Sequence, residues 1–391
     1  MITPYIHKQF GYTFYGKKLH IATSQELFSS FEVDSGSLML LQSIVNECPV
    51  NDITEALDVG CGTGVLALSL LSHISLQRMD CVDRDALALA FTQHNIKQNG
   101  FSNICCFGSL GTSDVVYRDY DLVMSNIPAK AGNAVIEKMI AEFSSICSEK
   151  GRVAVVIVEP LSALVENAIA ATGSSLLYVK KTYDYSVFHY RANSKKTVAF
   201  DMSVYSRGQE SFSYKGISWK LCPVYGLPEF DSLGYGTELL LSSLARLPIF
   251  GSTLIVHPGQ GHIPVVISIE KGHVIDSLTI TDRDLLALRA TSLALEEICQ
   301  QKHLVRHLPG LFALEDQYDS VVLMYDKEAI EDSHVHLVAN IARITRPGGI
   351  CVICAKSSLM HRIGQEARSL FKGLLDSKSK GYRLLGLERR L

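Results

Sequence analysis

The chain contains itself twice. VDRDALALA at residues 82–90 and TDRDLLALR at residues 281–289 share six of nine positions at an offset of 199. Four further landmarks fall at nearly the same spacing. LDVGCGTG at 57–64 faces LIVHPGQG at 254–261, offset 197. Tyr120-Asp121 faces Tyr318-Asp319, and Gly151 faces Gly349, both at 198. GSLMLL at 36–41 faces GTELLL at 236–241, at 200. An offset held nearly constant over five landmarks marks a duplicated structural unit. The 391 residues are therefore expected to fold as two domains, residues 1–200 and 201–391, each of ordinary size. The join falls in the polar, turn-rich stretch 193–210, which carries NSKK and SRGQE.

Inside the first copy, short apolar runs alternate with helix-periodic segments. ALDV, MDCV, NICCF, DLVMS and RVAVVIV read as strands. VLALSLL starts a helix after the glycine turn at 60–64, and Asp85 can cap a second helix running to about Lys97. Continuous apolar strands separated by helices indicate a mostly parallel sheet covered on both faces.

Composition excludes several classes. Hydrophobic residues make up 47% and charged residues 20%, so both halves can bury a core. The net charge of -3 gives no overall basic footprint for tight nonspecific nucleic-acid binding, although a local patch stays open. The start, MITPYIHKQFGYTF, lacks the features of a secretory signal, and no run approaches the roughly 18 apolar residues of a membrane span. A cytoplasmic protein with no membrane partner is expected. Ten cysteines then read as reduced thiols; Cys351 and Cys354 form a CxxC inside the apolar run ICVICA and are read as core thiols on a strand. No metal site is expected.

The chemistry concentrates at 57–64. Glycines between a strand and a helix let the backbone turn sharply and approach a ligand, and the helix N-terminus offers free N–H groups. A dinucleotide fingerprint would place a third glycine where Val65 stands; the spacing here is G-x-G-x-G, with Asp58 two residues ahead. An acid there repels a pyrophosphate and attracts a cation, such as a methionyl group bearing an ammonium and a sulfonium. Asp83 ends the next strand, where a carboxylate can accept hydrogen bonds from ribose hydroxyls.

LDVGCGTGVLAL, VDRDALAL and DLVMSNIPAKAG together resemble the class I S-adenosylmethionine-dependent methyltransferases, and within them the tandem-domain ribosomal RNA guanine-N2 methyltransferases, in which one copy of the fold keeps the site. The resemblance implies an α/β fold of two tandem Rossmann-like domains, each a seven-stranded sheet with six strands parallel and one antiparallel. It implies S-adenosylmethionine held by Phe31, Asp58, Gly60, Cys61, Gly62, Thr63, Gly64, Asp83, Arg84, Ser109, Leu110 and Asn126. The glycines would line the methionine end, Asp83 the ribose, and Ser109 and Leu110 the adenine. Leu110 stands where the family commonly has an acid. FSSFEVDSG at 28–36 resembles the segment that closes over the cofactor, with plain packing of Phe28 and Phe31 as the other reading.

The catalytic reading falls on Asn126, Ile127 and Pro128. An exocyclic amine is a poor nucleophile because its lone pair is delocalised. The Asn126 side-chain oxygen and the next backbone carbonyl can each accept one N–H and orient the lone pair for in-line displacement. Ile127 replaces the family's usual first proline, and Ala129 replaces the aromatic that would stack on a base. Tyr12, Phe14, Phe28, Phe31, Tyr185 and Phe188 are the candidates to supply that sandwich. Lys130 can meet a phosphate or sit in solvent. The partner is thus RNA, ribosomal by resemblance, or a protein whose glutamine or other nitrogen is methylated; a non-catalytic cofactor-binding module is the third reading.

The second copy has Ile255 for Asp58, His257 for Gly60, and Met324-Tyr325-Asp326 for the catalytic triplet. It is expected to be a degenerate scaffold or docking domain that gives a monomer an internal pseudo-dimer. His257 and His262 read as core or surface imidazoles. Residues 178–196, with five basic side chains and interleaved aromatics, are either a docking surface or a core hairpin.

Overall fold

A computed structural model of the chain describes residues 2–27, 32–102, 104–117, 119–193, 201–298, 302–325 and 333–391. The chain divides into two compact units, Ile2–Tyr205 and one beginning at Ser206 and ending at Leu391.

The first unit opens with an antiparallel hairpin, β1 (Lys8–Phe14) and β2 (Lys17–Thr23), followed by α1 (Ser35–Glu47). The core then runs β3 (Glu55–Val59), α2 (Val65–His73), β4 (Arg78–Asp83), α3 (Ala86–Gln98), β5 (Ile104–Gly108), β6 (Tyr120–Asn126), α4 (Asn133–Ile146), β7 (Cys147–Val158), α5 (Ser162–Ala171), β8 (Ser175–Lys181) and β9 (Tyr185–Arg191). The sheet order is β5-β4-β3-β6-β7-β9-β8. All pairings from β5 to β7 are parallel, and β9 runs antiparallel between β7 and β8. That is the six-plus-one sheet the resemblance implied.

Apolar strands explain this order. Val153 to Ile157 of β7 are all fully buried. Each such valine or isoleucine contributes about 1.5–3 kcal/mol by leaving water, which a sheet sandwiched between helices provides. The chain reverses in sheet order between β3 and β6, so the loops after β3, β4 and β6 converge at one end of the strands, where open α/β sheets bind ligands.

The second unit repeats the plan. A hairpin, β10 (Glu210–Tyr214) and β11 (Ile217–Leu221), precedes α6 (Tyr235–Ser243), β12 (Gly251–Val256), α7 (His262–Lys271), β13 (Ile275–Asp282), α8 (Leu285–Ile298), β14 (His303–His307), β15 (Tyr318–Tyr325), α9 (Ser333–Ile344), β16 (Thr345–Lys356), α10 (Ser357–Ala367), β17 (Phe371–Ser379) and β18 (Tyr382–Arg389). The order β14-β13-β12-β15-β16-β18-β17 matches the first sheet strand for strand.

The landmarks common to both halves do structural work. Asp121 accepts from the backbone of Thr54 and Glu55 ahead of β3, and Asp319 accepts from Ser252 in β12. Gly151 and Gly349 sit where an added Cβ would lie 2.5 Å and 2.9 Å from the carbonyl oxygens of Tyr120 and Asp319. Asp85 caps α3 through the Leu87 N–H, and Asp284 takes the Leu286 N–H ahead of α8 at the same 2.9 Å.

Residues 178–191 form a hairpin with Phe188 and Tyr190 fully buried, so the core reading holds for those two aromatics, while Tyr178 and Tyr185 are half-buried and Tyr183 is exposed. Lys195 and Lys196 of that stretch lie outside the described residues. Cys351 and Cys354 are buried thiols of β16, neither of them in a disulfide, and Cys354 donates to the Gly236 carbonyl. His262 is buried; Trp219 donates to its Nδ1 at 3.2 Å, so its Nε2 carries the proton toward the Glu229 carbonyl, and burial lowers its pKa to about 4. No described helix is long and apolar enough to cross a membrane.

Candidate active site

The turn after β3 is built on backbone that glycine adopts without penalty. Gly60, Gly62 and Gly64 have φ of 76°, 57° and 80°. Their surroundings differ. A Cβ on Gly60 or Gly62 would meet nothing within 4 Å, whereas one on Gly64 would lie 3.0 Å from Thr92. Gly64 therefore packs the turn onto α3, and the other two leave space for a ligand. Thr92 reinforces the turn by donating to the Gly62 carbonyl, and the Asn95 amide donates to the Thr63 carbonyl at 2.8 Å. Cys61 and Thr63 are buried beneath it, and burial pushes the Cys61 thiol well up.

Two carboxylates sit under the turn. Asp58 is fully buried; one oxygen accepts the Ala67 N–H at 3.2 Å, and Oδ1 is buried without a partner. Asp83 accepts from Gly62 and from Asp85, both at 2.9 Å. Desolvation raises Asp58 to about 7 and Asp83 to about 6. A buried carboxylate with an orphaned oxygen calls for a cationic or donor ligand. With the open cradle at Gly60 and Gly62, this donor set fits a cationic methionyl group above β3 and a hydroxyl-bearing ribose near β4.

Beyond β5, the Ser109 N–H donates to the Asp83 carbonyl at 3.1 Å and its hydroxyl accepts from Asp114. Glu142 of α4 holds the next residues by accepting from the backbone and hydroxyl of Thr112. Leu110 is buried, an apolar wall with no polar group to pair with an adenine amine. Arg84 is partly exposed at the end of β4. Phe28 and Phe31 lie outside the described residues.

At the end of β6, Asn126 donates from Nδ2 to Asp34 at 2.9 Å and to the Ser37 hydroxyl at 3.0 Å. Asp34 is the N-cap of α1, accepting from the Ser37 N–H, and Tyr185 donates its hydroxyl to the other Asp34 oxygen at 3.0 Å. Burial, with the bond to Asp34, raises the Tyr185 pKa. Ile127 is buried and donates its N–H to the Val156 carbonyl, which fixes the backbone between Asn126 and the exposed Pro128. Lys130 is exposed on a short 3-10 turn, residues Ala129–Ala131.

Of the stacking candidates, Phe14 and Phe188 are buried, and Tyr12 hydrogen-bonds Ser69. Among the described candidates, Tyr185 is partly exposed and shares the Asp34 carboxylate with Asn126. Asp34 and Ser37 escape a reading of the chain by motifs, because both look like ordinary helix-start residues. Their signal lies in the repeat: Asp34 aligns with Gly234, just as Asn126 aligns with Met324.

In the second unit the turn persists with φ of 58° at Gly259 and 98° at Gly261, but His257 occupies the Gly60 position at φ 55° and donates Nδ1–H to the Met324 carbonyl. Ile255 fills the place of Asp58 as a buried apolar side chain.

Known proteins place this geometry. Residues 18–189 match the family model for the methyltransferase small domain. The Ribosomal RNA small subunit methyltransferase C of Buchnera aphidicola subsp. Acyrthosiphon pisum is 30% identical over 152 residues, 38% of this chain and 43% of that protein. Its counterpart in Shewanella halifaxensis is 33% identical over 117 residues, 30% of this chain and 32% of that protein. The matches span less than half the length of either relative. A Thermus thermophilus 16S rRNA N2 G1207 methyltransferase, solved with AdoMet and guanosine, superposes with a TM-score of 0.67 at 17% identity, covering 99% of each chain. That likeness establishes the tandem Rossmann-like architecture along the whole chain.

Proposed function

We propose, from the match of residues 18–189 to the methyltransferase small domain family model, that the first unit transfers a methyl group from S-adenosylmethionine to an exocyclic amine of a base in structured RNA, with small-subunit ribosomal RNA as the substrate class. The observation that carries the reading is the Asn126 amide, held by both of its hydrogens beside the glycine turn.

The bound cofactor supplies an electrophilic methyl on a sulfonium. Asp58 and the Gly60–Gly62 backbone would hold the cationic amino-acid end, and Asp83 would accept from the ribose. Ser109 and Leu110 would flank the adenine, and Cys61, Thr63 and Arg84 would complete the lining. The Asn126 oxygen and the backbone carbonyl beyond it each accept one N–H of the target amine, which aims the nitrogen lone pair along the line of displacement. Those two hydrogen bonds would strengthen as positive charge grows on the target nitrogen during methyl transfer. The methylated nitrogen releases its proton to water, so no strong general base is needed. Tyr185 offers one partly exposed ring beside the amine site for stacking.

Methylation of a protein nitrogen is the competing reading, favoured by Ala129 where a stacking aromatic would serve a base. Incubating RNA and protein from cells lacking the chain with labelled S-adenosylmethionine separates the two. Label is expected in RNA as an N-methylated base; label confined to protein overturns the RNA reading.

A further inference from the structure

We propose that Asp34 is a positioning residue for methyl transfer: held by the Tyr185 hydroxyl, its carboxylate locks the Asn126 amide so that the amide oxygen faces the target amine. This rests on the reading of Asn126 as the acceptor for that amine.

The two ends of an asparagine amide are nearly equal in shape and opposite in function. Only the oxygen can accept an amine N–H; an NH2 in its place would repel it. Some neighbour must therefore select the orientation. A carboxylate accepts and cannot donate, so the 2.9 Å contact between Asp34 and the Asn126 side chain forces Nδ2 toward Asp34. The Ser37 hydroxyl takes the second amide hydrogen at 3.0 Å. Both donors are committed inside the protein, and the oxygen is what the side chain presents to a ligand. Asp34 is itself fixed from two sides, by the Ser37 N–H and by Tyr185 at 3.0 Å. The Tyr185 ring reaches it only because residue 36 is glycine, since a Cβ there would lie 2.7 Å from the ring.

Asp34 also caps α1, which alone would explain an acid at this position. The second unit separates the two roles. Gly236 and Tyr382 keep the same glycine–tyrosine seat, with an added Cβ 2.9 Å from the ring. Its helix starts at Gly234 with no side-chain cap, and Glu229 accepts from the Gly234 N–H and the Thr237 hydroxyl. The fold thus begins this helix without a capping acid. What disappears with the acid is the amide, for Met324 stands where Asn126 would be. The carboxylate and the amide are lost together while the surrounding packing stays.

The test uses the full chain, S-adenosylmethionine and RNA from cells lacking the chain, with Asp34→Ser, Tyr185→Phe, Asn126→Ala and the Asp34→Ser/Asn126→Ala pair. Serine preserves the helix cap and removes the carboxylate. Asn126→Ala is expected to lower kcat on the order of 100-fold or more. Asp34→Ser should lower kcat roughly 10- to 100-fold, with the melting temperature and the KM for the donor near those of the parent. Tyr185→Phe should cost about threefold. The double variant should be no slower than Asn126→Ala alone. In spectra of the protein labelled at asparagine, the Asn126 side-chain N–H pair should shift in Asp34→Ser. Full kcat in Asp34→Ser, or an equal slowing by Asp34→Ser with and without Asn126, would overturn the positioning role. Full kcat in Asn126→Ala would instead remove the reading of Asn126 on which it rests.

Discussion

The two halves of this chain share a sheet order and differ at the end of their strands. What both retain is what the fold needs: Asp121 and Asp319 holding the starts of β3 and β12, Gly151 and Gly349 at a close strand approach, Asp85 and Asp284 at helix starts. What only the first retains serves no packing purpose: a fully buried carboxylate with an orphaned oxygen, a glycine facing open space at position 60 where the second unit has His257, and an amide held by its hydrogens. The duplication thus acts as an internal control that separates architecture from chemistry.

The comparison breaks most visibly at Asp58 and Ile255. Asp58→Ala is expected to lower affinity for S-adenosylmethionine on the order of 10³-fold, the scale of removing one partner of a buried charge pair, with the fold retained. Ile255→Ala should leave that affinity unchanged. Equal effects of the two changes, read by calorimetry, would erase the functional asymmetry.

Stability sharpens the contrast with opposite sign. An acid whose folded pKa is raised stabilises the fold when protonated; that contribution is full below the unfolded value of 3.8 and is lost as pH climbs through about 7. Without a ligand, Asp58 therefore strains the first unit at alkaline pH, as Ile255 does not strain the second. Asp58→Asn should raise the stability of the ligand-free protein by about 2–4 kcal/mol at pH 8, and the gain should vanish by pH 4. A melting difference independent of pH would contradict the orphaned-carboxylate account. By the same linkage, S-adenosylmethionine should bind more weakly as pH falls below about 7, because its cation needs Asp58 ionised.

The smallest differences lie in the turns. Gly64 and Gly261 both hold positive φ against a threonine, with an added Cβ 3.0 Å from Thr92 and 3.3 Å from Thr291. Alanine at either should cost about 1–2 kcal/mol of stability. Alanine at Gly60, which shares the positive φ but faces open space, should cost only the backbone strain, about 1 kcal/mol, and act mainly on cofactor affinity. Thermal melts that rank Gly60→Ala as the most damaging of the three would reverse that assignment.

The sheet, its duplication and the glycine turn were legible in the sequence because they repeat or follow apolar periodicity. LDVGCGTG between a strand and a helix leaves little freedom, and Asp85 caps α3 as its position demanded. The supporting carboxylate at Asp34 was not legible. It lies 92 residues from Asn126, and an aspartate ahead of a helix already has a local explanation as a cap. The aromatics of residues 178–191 were open to two readings. Basic residues beside aromatics mimic a docking surface, but alternation along β9 sends Phe188 and Tyr190 into the core.

One titration reaches the centre of the comparison. Calorimetry of the full chain with S-adenosylmethionine should give one site per chain, lost in Asp58→Ala and untouched by Ile255→Ala. Two sites per chain, or one that survives Asp58→Ala and vanishes on changing His257, would contradict it.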